Sequence, residues 1–183
     1  VCGGTAAAVV SDDTVFSLYG AALCTQLEAA GYRVVPFVFP HGEASKSLST
    51  YAELVSFLAE KRLTRADVLV ALGGGVTGDL GGFAAATYLR GIRYVQVPTT
   101  LLAAVDSSVG GKTAVDLPAG KNLAGCFHQP SLVLCDLDTL STLPDETFRD
   151  GCAEVIKYGM IDSAEFLRQL SETPAREQLE HVV

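Results

Sequence analysis

The segment from Val68 to Ala86, VLVALGGGVTGDLGGFAAA, restricts the fold more than any other part of the chain. A β-branched apolar run ends directly in a loop, and a run of small residues follows. Six glycines fall within the twelve residues from Ala71 to Gly82. Glycine loses more conformational freedom on folding than any other residue, so the backbone must need them. Gly73-Gly74-Gly75-Val76-Thr77-Gly78 fits GxGxxG between a strand and a helix, where backbone N–H groups and the helix N-terminus favour a phosphate. The usual dinucleotide fingerprint sits in the first strand–helix turn, with an acid about 20 residues further on for the ribose. Here the motif follows the third expected strand, and Tyr94-Val95-Gln96-Val97 occupies the place of that acid. Two readings stay open on these residues: a pyrophosphate loop of another design, or a tight turn that lets a helix pack closely on a sheet. Asp79, in the first helical turn, can cap the helix or accept from a ligand hydroxyl.

Around this segment, short apolar runs alternate with amphipathic stretches. Strands are expected at Ala6 to Val10, Val34 to Phe39, Val68 to Leu72, Tyr94 to Val97 and Leu132 to Asp136. Helices are expected at Phe16 to Ala30, Ser45 to Glu60 and Thr77 to Leu89. This alternation predicts an α/β fold: a Rossmann-like parallel sheet with helices on both faces and ligands at the strand ends. Asp106 to Pro130 shows little periodicity, and a loop of that length is read as functional. After Leu143 the pattern is purely helical, Glu146 to Ile161 and Ala164 to Ser171. The expected division is therefore an α/β domain over residues 1–144 and the first helices of an α-helical domain over 145–183.

Composition removes several classes of function. The net charge of -8 and the lack of a lysine–arginine run argue against nucleic acid. No apolar run approaches the roughly 20 residues needed to span a bilayer. Val1, with no charged-then-apolar leader after it, suggests a processed or trimmed N-terminus. Five cysteines (Cys2, Cys24, Cys126, Cys135, Cys152) without a CxxC read as reduced thiols of a cytoplasmic protein.

The other motifs are individually modest. Gly111-Lys112-Thr113 lacks the glycine five residues earlier that a P-loop requires, because position 106 is Asp. An acid and an amine on one glycine-rich loop suit a polyhydroxylated anion; a solvated turn is the plainer alternative. Gly42-Glu43-Ala44-Ser45-Lys46 reads as helix capping by Ser45 and Glu43. Cys152, Val155, Ile156 and Met160 form one helical stripe. Glu154 and Lys157 lie opposite it as an exposed ion pair. His41, His128 and His181 show no metal spacing with Glu154.

Taken in order, GGGVTGD, YLRG, VPTTLLAAVDSSVGGKTAVD, GKNLAGCFHQP and GCAEVIKYG resemble the 3-dehydroquinate synthase family and its sugar-phosphate-cyclase relatives, over about Ala7 to Leu167. The resemblance implies an enzyme that uses NAD and a divalent metal, zinc or cobalt, to convert 3-deoxy-arabino-heptulosonate 7-phosphate to 3-dehydroquinate and phosphate. It implies nucleotide contacts from Glu43, Lys46, Gly75, Val76, Thr77, Gly78, Asp79, Thr99, Thr100, Lys112 and Lys121, and from Thr139, Leu140, Ser141 and Thr142. Substrate would be bound by Asp106, Lys112, Asn122 and Lys157. Arg90 would come from a neighbouring subunit of a homodimer. Glu154 would be the one metal ligand in this chain, the family's two histidine ligands lying beyond Val183. The chain is thus expected to be an N-terminal portion that binds NAD but holds no metal and turns over no substrate alone. A valiolone or inosose synthase, or a regulatory nucleotide-binding module, are the alternatives. Retention of the whole DSSVGGKT and GKN loop argues against the last.

Overall fold

The structure, a computed structural model, describes residues 4–183, so Cys2 lies outside the described residues. Its strands are β1 (Ala6–Asp12), β2 (Arg33–Phe39), β3 (Val68–Gly73), β4 (Arg93–Pro98), β5 (Lys112–Leu117), β6 (Gly120–Phe127) and β7 (Leu132–Val133). Five of them form one sheet in the order β2-β1-β3-β4-β7, with every neighbouring pair parallel. The other two, β5 and β6, form a separate antiparallel hairpin.

The helices are α1 (Asp13–Val15), α2 (Ala21–Ala29), α3 (Leu48–Glu60), α4 (Gly75–Thr87), α5 (Asp145–Asp162), α6 (Ala164–Glu172) and α7 (Leu179–Val182). A π-helical turn, Phe16–Gly20, joins α1 to α2. Strand side chains alternate between faces, and the two faces bury different helices. Ala8, Val10, Leu69 and Ala71 pack with Leu54 and Leu58 of α3 and Leu80 and Ala84 of α4. Their neighbours Ala7, Val9, Val68 and Val70 pack with Phe16, Tyr19, Leu23 and Leu27. The sheet is thus a Rossmann-like layer covered on both sides, as the sequence pattern predicts.

Three expectations need correction. The stretch from Asp106 to Pro130 is not irregular, because it contains the β5–β6 hairpin. The period-2 signal was carried only by Thr113 and Val115, whose side chains are buried, while most of β6 is exposed. Helix α3 starts later than expected and its cap is Ser47, whose Oγ accepts from Thr50 N–H at 3.3 Å. Ser45 instead donates to the Pro40 carbonyl at 2.5 Å. On α5 the buried stripe is Phe148, Gly151, Val155 and Gly159, whereas Ile156 and Met160 are 45% and 73% exposed. Gly151 explains the difference: a Cβ there would lie 2.6 Å from Leu101 Cβ, so the helix turns its glycines toward the body. A third apolar cluster, Leu101, Leu140, Phe148 and Val155, joins α5 to the segments before it.

Asp67 ties the two central strands together at their starts. Its Oδ1 accepts from Thr5 N–H at 3.0 Å and Ala6 N–H at 2.9 Å, and its Oδ2 from the N–H and hydroxyl of Thr64 at 2.7 and 2.8 Å. Burial pushes this carboxyl up, but the donors of Thr64, Thr5 and Ala6 together outweigh it and hold it below its ordinary 3.8. Asp67→Ala should therefore lower the unfolding free energy by about 3 kcal/mol at neutral pH, measured by urea denaturation. A depressed folded pKa stabilises above 3.8 and loses that contribution as pH falls through the lower folded value. The gap between wild type and variant should close over that acid range.

Candidate functional site

Helix α4 begins where β3 ends, with Gly74 at its cap position and no side chain capping it. The helix lies unusually close to what is beneath it. A Cβ on Gly78 would lie 2.7 Å from Gln96 Nε2, one on Gly81 3.2 Å from Ala71 Cβ, and one on Gly82 2.4 Å from Thr113 Cγ2. Close packing and a phosphate loop were competing readings of these glycines; the geometry divides them. Gly78, Gly81 and Gly82 face the sheet and hairpin, while Gly75 and Val76 face a cavity of about 610 Å³.

That cavity lies between α4, the turn Glu43–Ser45, the π-helical turn Ala103–Ser107 and the hairpin. Of the sequence-predicted residues, Glu43, Lys46, Gly75, Val76, Asp79, Asp106, Lys112 and Asn122 line it. Lys46 is its electrostatic centre. Its ammonium donates to Asp79 Oδ2 and to Asn122 Oδ1, each at 2.5 Å. The Lys46 and Asp79 side chains are only 7% and 16% exposed. Burial pushes the Asp79 carboxyl above its ordinary 3.8, against the pull of the Lys46 ammonium and the more distant Lys112. Nearer the mouth, Lys121 meets Glu43 at 2.9 Å, which raises the lysine's pKa, and Lys112 stands 3.9 Å from Asp106.

The remaining predicted residues sit elsewhere. Thr77 and Gly78 belong to the first turns of α4 but are buried beneath it. Thr99 donates its N–H to Gly73 O at 3.0 Å. Thr100 accepts from Ala103 N–H at 3.1 Å, and its Cγ2 lies against Gly74. Both threonines therefore brace the glycine loop from behind. Thr139, Leu140, Ser141 and Thr142 form the short 3-10 stretch Leu137–Thr142. Leu140 is 2% exposed in the third apolar cluster, and Thr139 O and Thr142 Oγ1 bond the Tyr19 hydroxyl. Arg90 is exposed in a left-handed turn, with φ 51° at Leu89 and 66° at Arg90. Glu154 and Lys157 contact each other on α5, and that contact raises the lysine's pKa.

Thr113, Ala114, Leu123, Gly125, Cys126 and Phe127 line the cavity and were not singled out as site residues. All lie on the hairpin, and Pro118-Ala119-Gly120 between two β-branched or alternating runs was the available signal. Each of the three histidines has one ring nitrogen in a hydrogen bond: His41 Nδ1 with Asp13 at 2.8 Å, His128 Nε2 with Ile92 O at 3.1 Å, and His181 Nε2 with Gln169 at 2.9 Å. Among the described residues, no group of three or more His, Cys, Asp or Glu is arranged to hold a metal ion.

A parallel sheet with a glycine-rich helix start at the strand ends, facing a cavity with an amine between a carboxylate and an amide, is a Rossmann-like α/β arrangement, the kind in which ligands bind at the strand ends. The family described as 3-dehydroquinate synthase N-terminal matches residues 36–150, and the chain belongs to it. A 3-dehydroquinate synthase from Nostoc punctiforme is 54% identical over 174 residues, 95% of this chain and 48% of that protein. A 2-deoxy-scyllo-inosose synthase solved with carbaglucose-6-phosphate, NAD+ and Co2+ is 33% identical, with TM-score 0.87 over 97% of this chain and 50% of its own. A 2-epi-5-epi-valiolone synthase from Streptomyces hygroscopicus with NAD+ and Zn2+ bound is 34% identical, with TM-score 0.88 over 98% and 50%. The chain spans about half the length of the curated relatives it matches.

Lys46→Met should move the Asp79 carboxyl further above 3.8, because burial then acts without its nearest opposing charge. Carboxyl-carbon NMR titration checks this; an unchanged Asp79 titration would show that the ion pair does not set its charge.

Proposed function

We propose that this chain forms the NAD-binding half of a 3-dehydroquinate synthase, which converts 3-deoxy-arabino-heptulosonate 7-phosphate to 3-dehydroquinate and phosphate. The observation that carries this reading is the convergence of Lys46, Asp79 and Asn122 beside the uncapped start of α4. The residues fit a dinucleotide. Gly74 and Gly75 leave the helix N-terminus open to a pyrophosphate, and Asp79, ionised against Lys46, accepts from a ribose hydroxyl. NAD, when bound, supplies reversible oxidation of a substrate hydroxyl, which acidifies the neighbouring C–H. Asp106, Lys112 and Asn122, on the other wall of the cavity, suit the hydroxyl groups and phosphate of the sugar. Glu43 borders the same space with Lys121 paired to it, Thr99 and Thr100 brace the loop, and Thr139–Thr142, outside the cavity beside Tyr19, are assigned to the nucleotide as well.

The metal does not fit the described residues as a set. Glu154 is a single carboxylate held by Lys157, so it would be one ligand of a group that these residues do not complete. Residues 145–183 are proposed as the first helices of the metal-and-substrate domain, with Lys157 reaching substrate from α5. Arg90 is assigned to the substrate of a second copy, which places a homodimer in this proposal. A cytoplasmic location is part of it too; no helix among the described residues is long and apolar enough to cross a membrane.

Calorimetry with NAD tests the reading. Asp79→Ala should weaken binding about 10- to 100-fold, the loss expected for one hydrogen bond to a charged group of about 1.5–3 kcal/mol. An unchanged affinity would remove Asp79 from the site. Since burial raises the Asp79 pKa, affinity in the wild type should begin to fall on acidification while still above pH 3.8. The 183-residue chain mixed with NAD and substrate should give no dehydroquinate. A substrate panel that instead favoured precursors of a valiolone or inosose would replace the named sugar phosphate with one of theirs.

A further inference from the structure

We infer that Asp116 is a positioning residue of this pocket: it fixes the backbone of Asn122 and thereby holds the second acceptor on the buried Lys46 ammonium. Asp116 lies near the end of β5, just before the hairpin turn; it closes the motif VPTTLLAAVDSSVGGKTAVD, but the resemblance assigns it no contact with nucleotide or substrate. Four observations meet at it. Its N–H donates to Lys46 O at 2.8 Å, and it forms an isolated parallel bridge with Ser47. Its carboxylate Oδ1 accepts from Asn122 N–H at 2.7 Å. Asn122 has φ 58°, a left-handed conformation that few non-glycine residues adopt, asparagine being among the most tolerant. Asn122 Oδ1 in turn accepts from Lys46 Nζ, which also holds Asp79.

The result is a closed ring. Asp116 grips the Lys46 segment by its backbone and the Asn122 turn by its side chain. Lys46 grips Asn122 and Asp79 with its ammonium. A buried ammonium needs its donors met. Without the Asp116 carboxylate, the Asn122 turn loses the bond that offsets its left-handed strain and swings its amide off Lys46. Asp116 does not line this cavity; it acts through Asn122 and Lys46, and its charge also favours the Lys121 ammonium. Its effect on NAD rests on the reading of the pocket given above; its effect on Lys46 does not.

The experiment uses the whole chain and three readouts: hydrogen exchange of the Asn122 amide, the NMR signal of the Lys46 ε-ammonium, and NAD affinity by calorimetry. Asp116→Ala should speed Asn122 exchange at least about tenfold and broaden or abolish the ammonium signal, with NAD affinity falling about five- to tenfold. Asp116→Asn keeps an oxygen that can accept from the Asn122 N–H and should retain all three within about twofold. Ser163→Ala removes the cap of the remote helix α6 and should leave all three unchanged, which separates positioning from general loosening. Should Asp116→Ala fail to fold, Asn122→Gly accepts the turn without help but lacks the amide, and it should still free the ammonium signal. An unchanged Asn122 exchange rate and ammonium signal in Asp116→Ala would overturn the inference. So would Asp116→Asn behaving like alanine, or Asn122→Gly leaving the ammonium undisturbed. If the wild type bound no NAD, the nucleotide reading would fail while the exchange and ammonium signals still decided the role of Asp116.

Discussion

Helix α4 sits on the sheet at a distance that only glycine allows, and the rest of the site takes its place from that contact. Gly78 and Gly81 let the helix descend onto Gln96 and Ala71, and Gly82 lets the hairpin close over it through Thr113. A Cβ at Gly82 would stand 2.4 Å from Thr113 Cγ2 and push helix and hairpin apart, and one at Gly78 would displace the Gln96 side-chain amide. With the helix down, its first turn opens on the cavity and Asp79 meets Lys46. With the hairpin down, Asn122 reaches the same ammonium from the other side.

That arrangement buries charge, and buried charge is tolerated only when it is paired and hydrogen-bonded. Lys46 meets the condition with one carboxylate and one amide, so the pocket keeps an ionic centre at little exposed surface. Asp79 is left with burial and its cationic neighbours in opposition, and burial has the larger effect. A carboxylate in this state is sensitive to any charge or donor that enters the cavity. Glu43–Lys121 and Asp106–Lys112 lie further out, in solvent, where ion pairs contribute little to stability.

The helical end of the chain is joined to this body through Leu101 and Leu140 rather than through the sheet. Gly151 brings α5 against Leu101, and the turn that continues from Leu101 carries Asp106 into the cavity. The packing of α5 therefore bears on where Asp106 stands. The same helix turns Ile156, Met160 and Ile161 to solvent.

The alternation of β-branched runs with helical spacing determined the parallel layer, because each period encodes which side chains face a core. The glycine segment, its place after the third strand, and the order of the five motifs determined the family. Asp79, Asp106, Lys112 and Asn122 lie in those motifs, and the structure gathers them around one cavity with Lys46, which the sequence pattern read only as part of a helix start. The hairpin was not, since its outer face is exposed and glycine-rich and its period-2 signal rests on Thr113 and Val115 alone. Nor was the stripe on α5, where glycine rather than an apolar side chain marks the packed face. Which lysine meets which acid, and that Asp116 stands behind Asn122, only the tertiary structure decided. The pairings of Lys46 with Asp79, Lys46 with Asn122 and Lys121 with Glu43 join residues 33, 76 and 78 positions apart. No local period records such a contact, because it exists only once the sheet has brought the segments together.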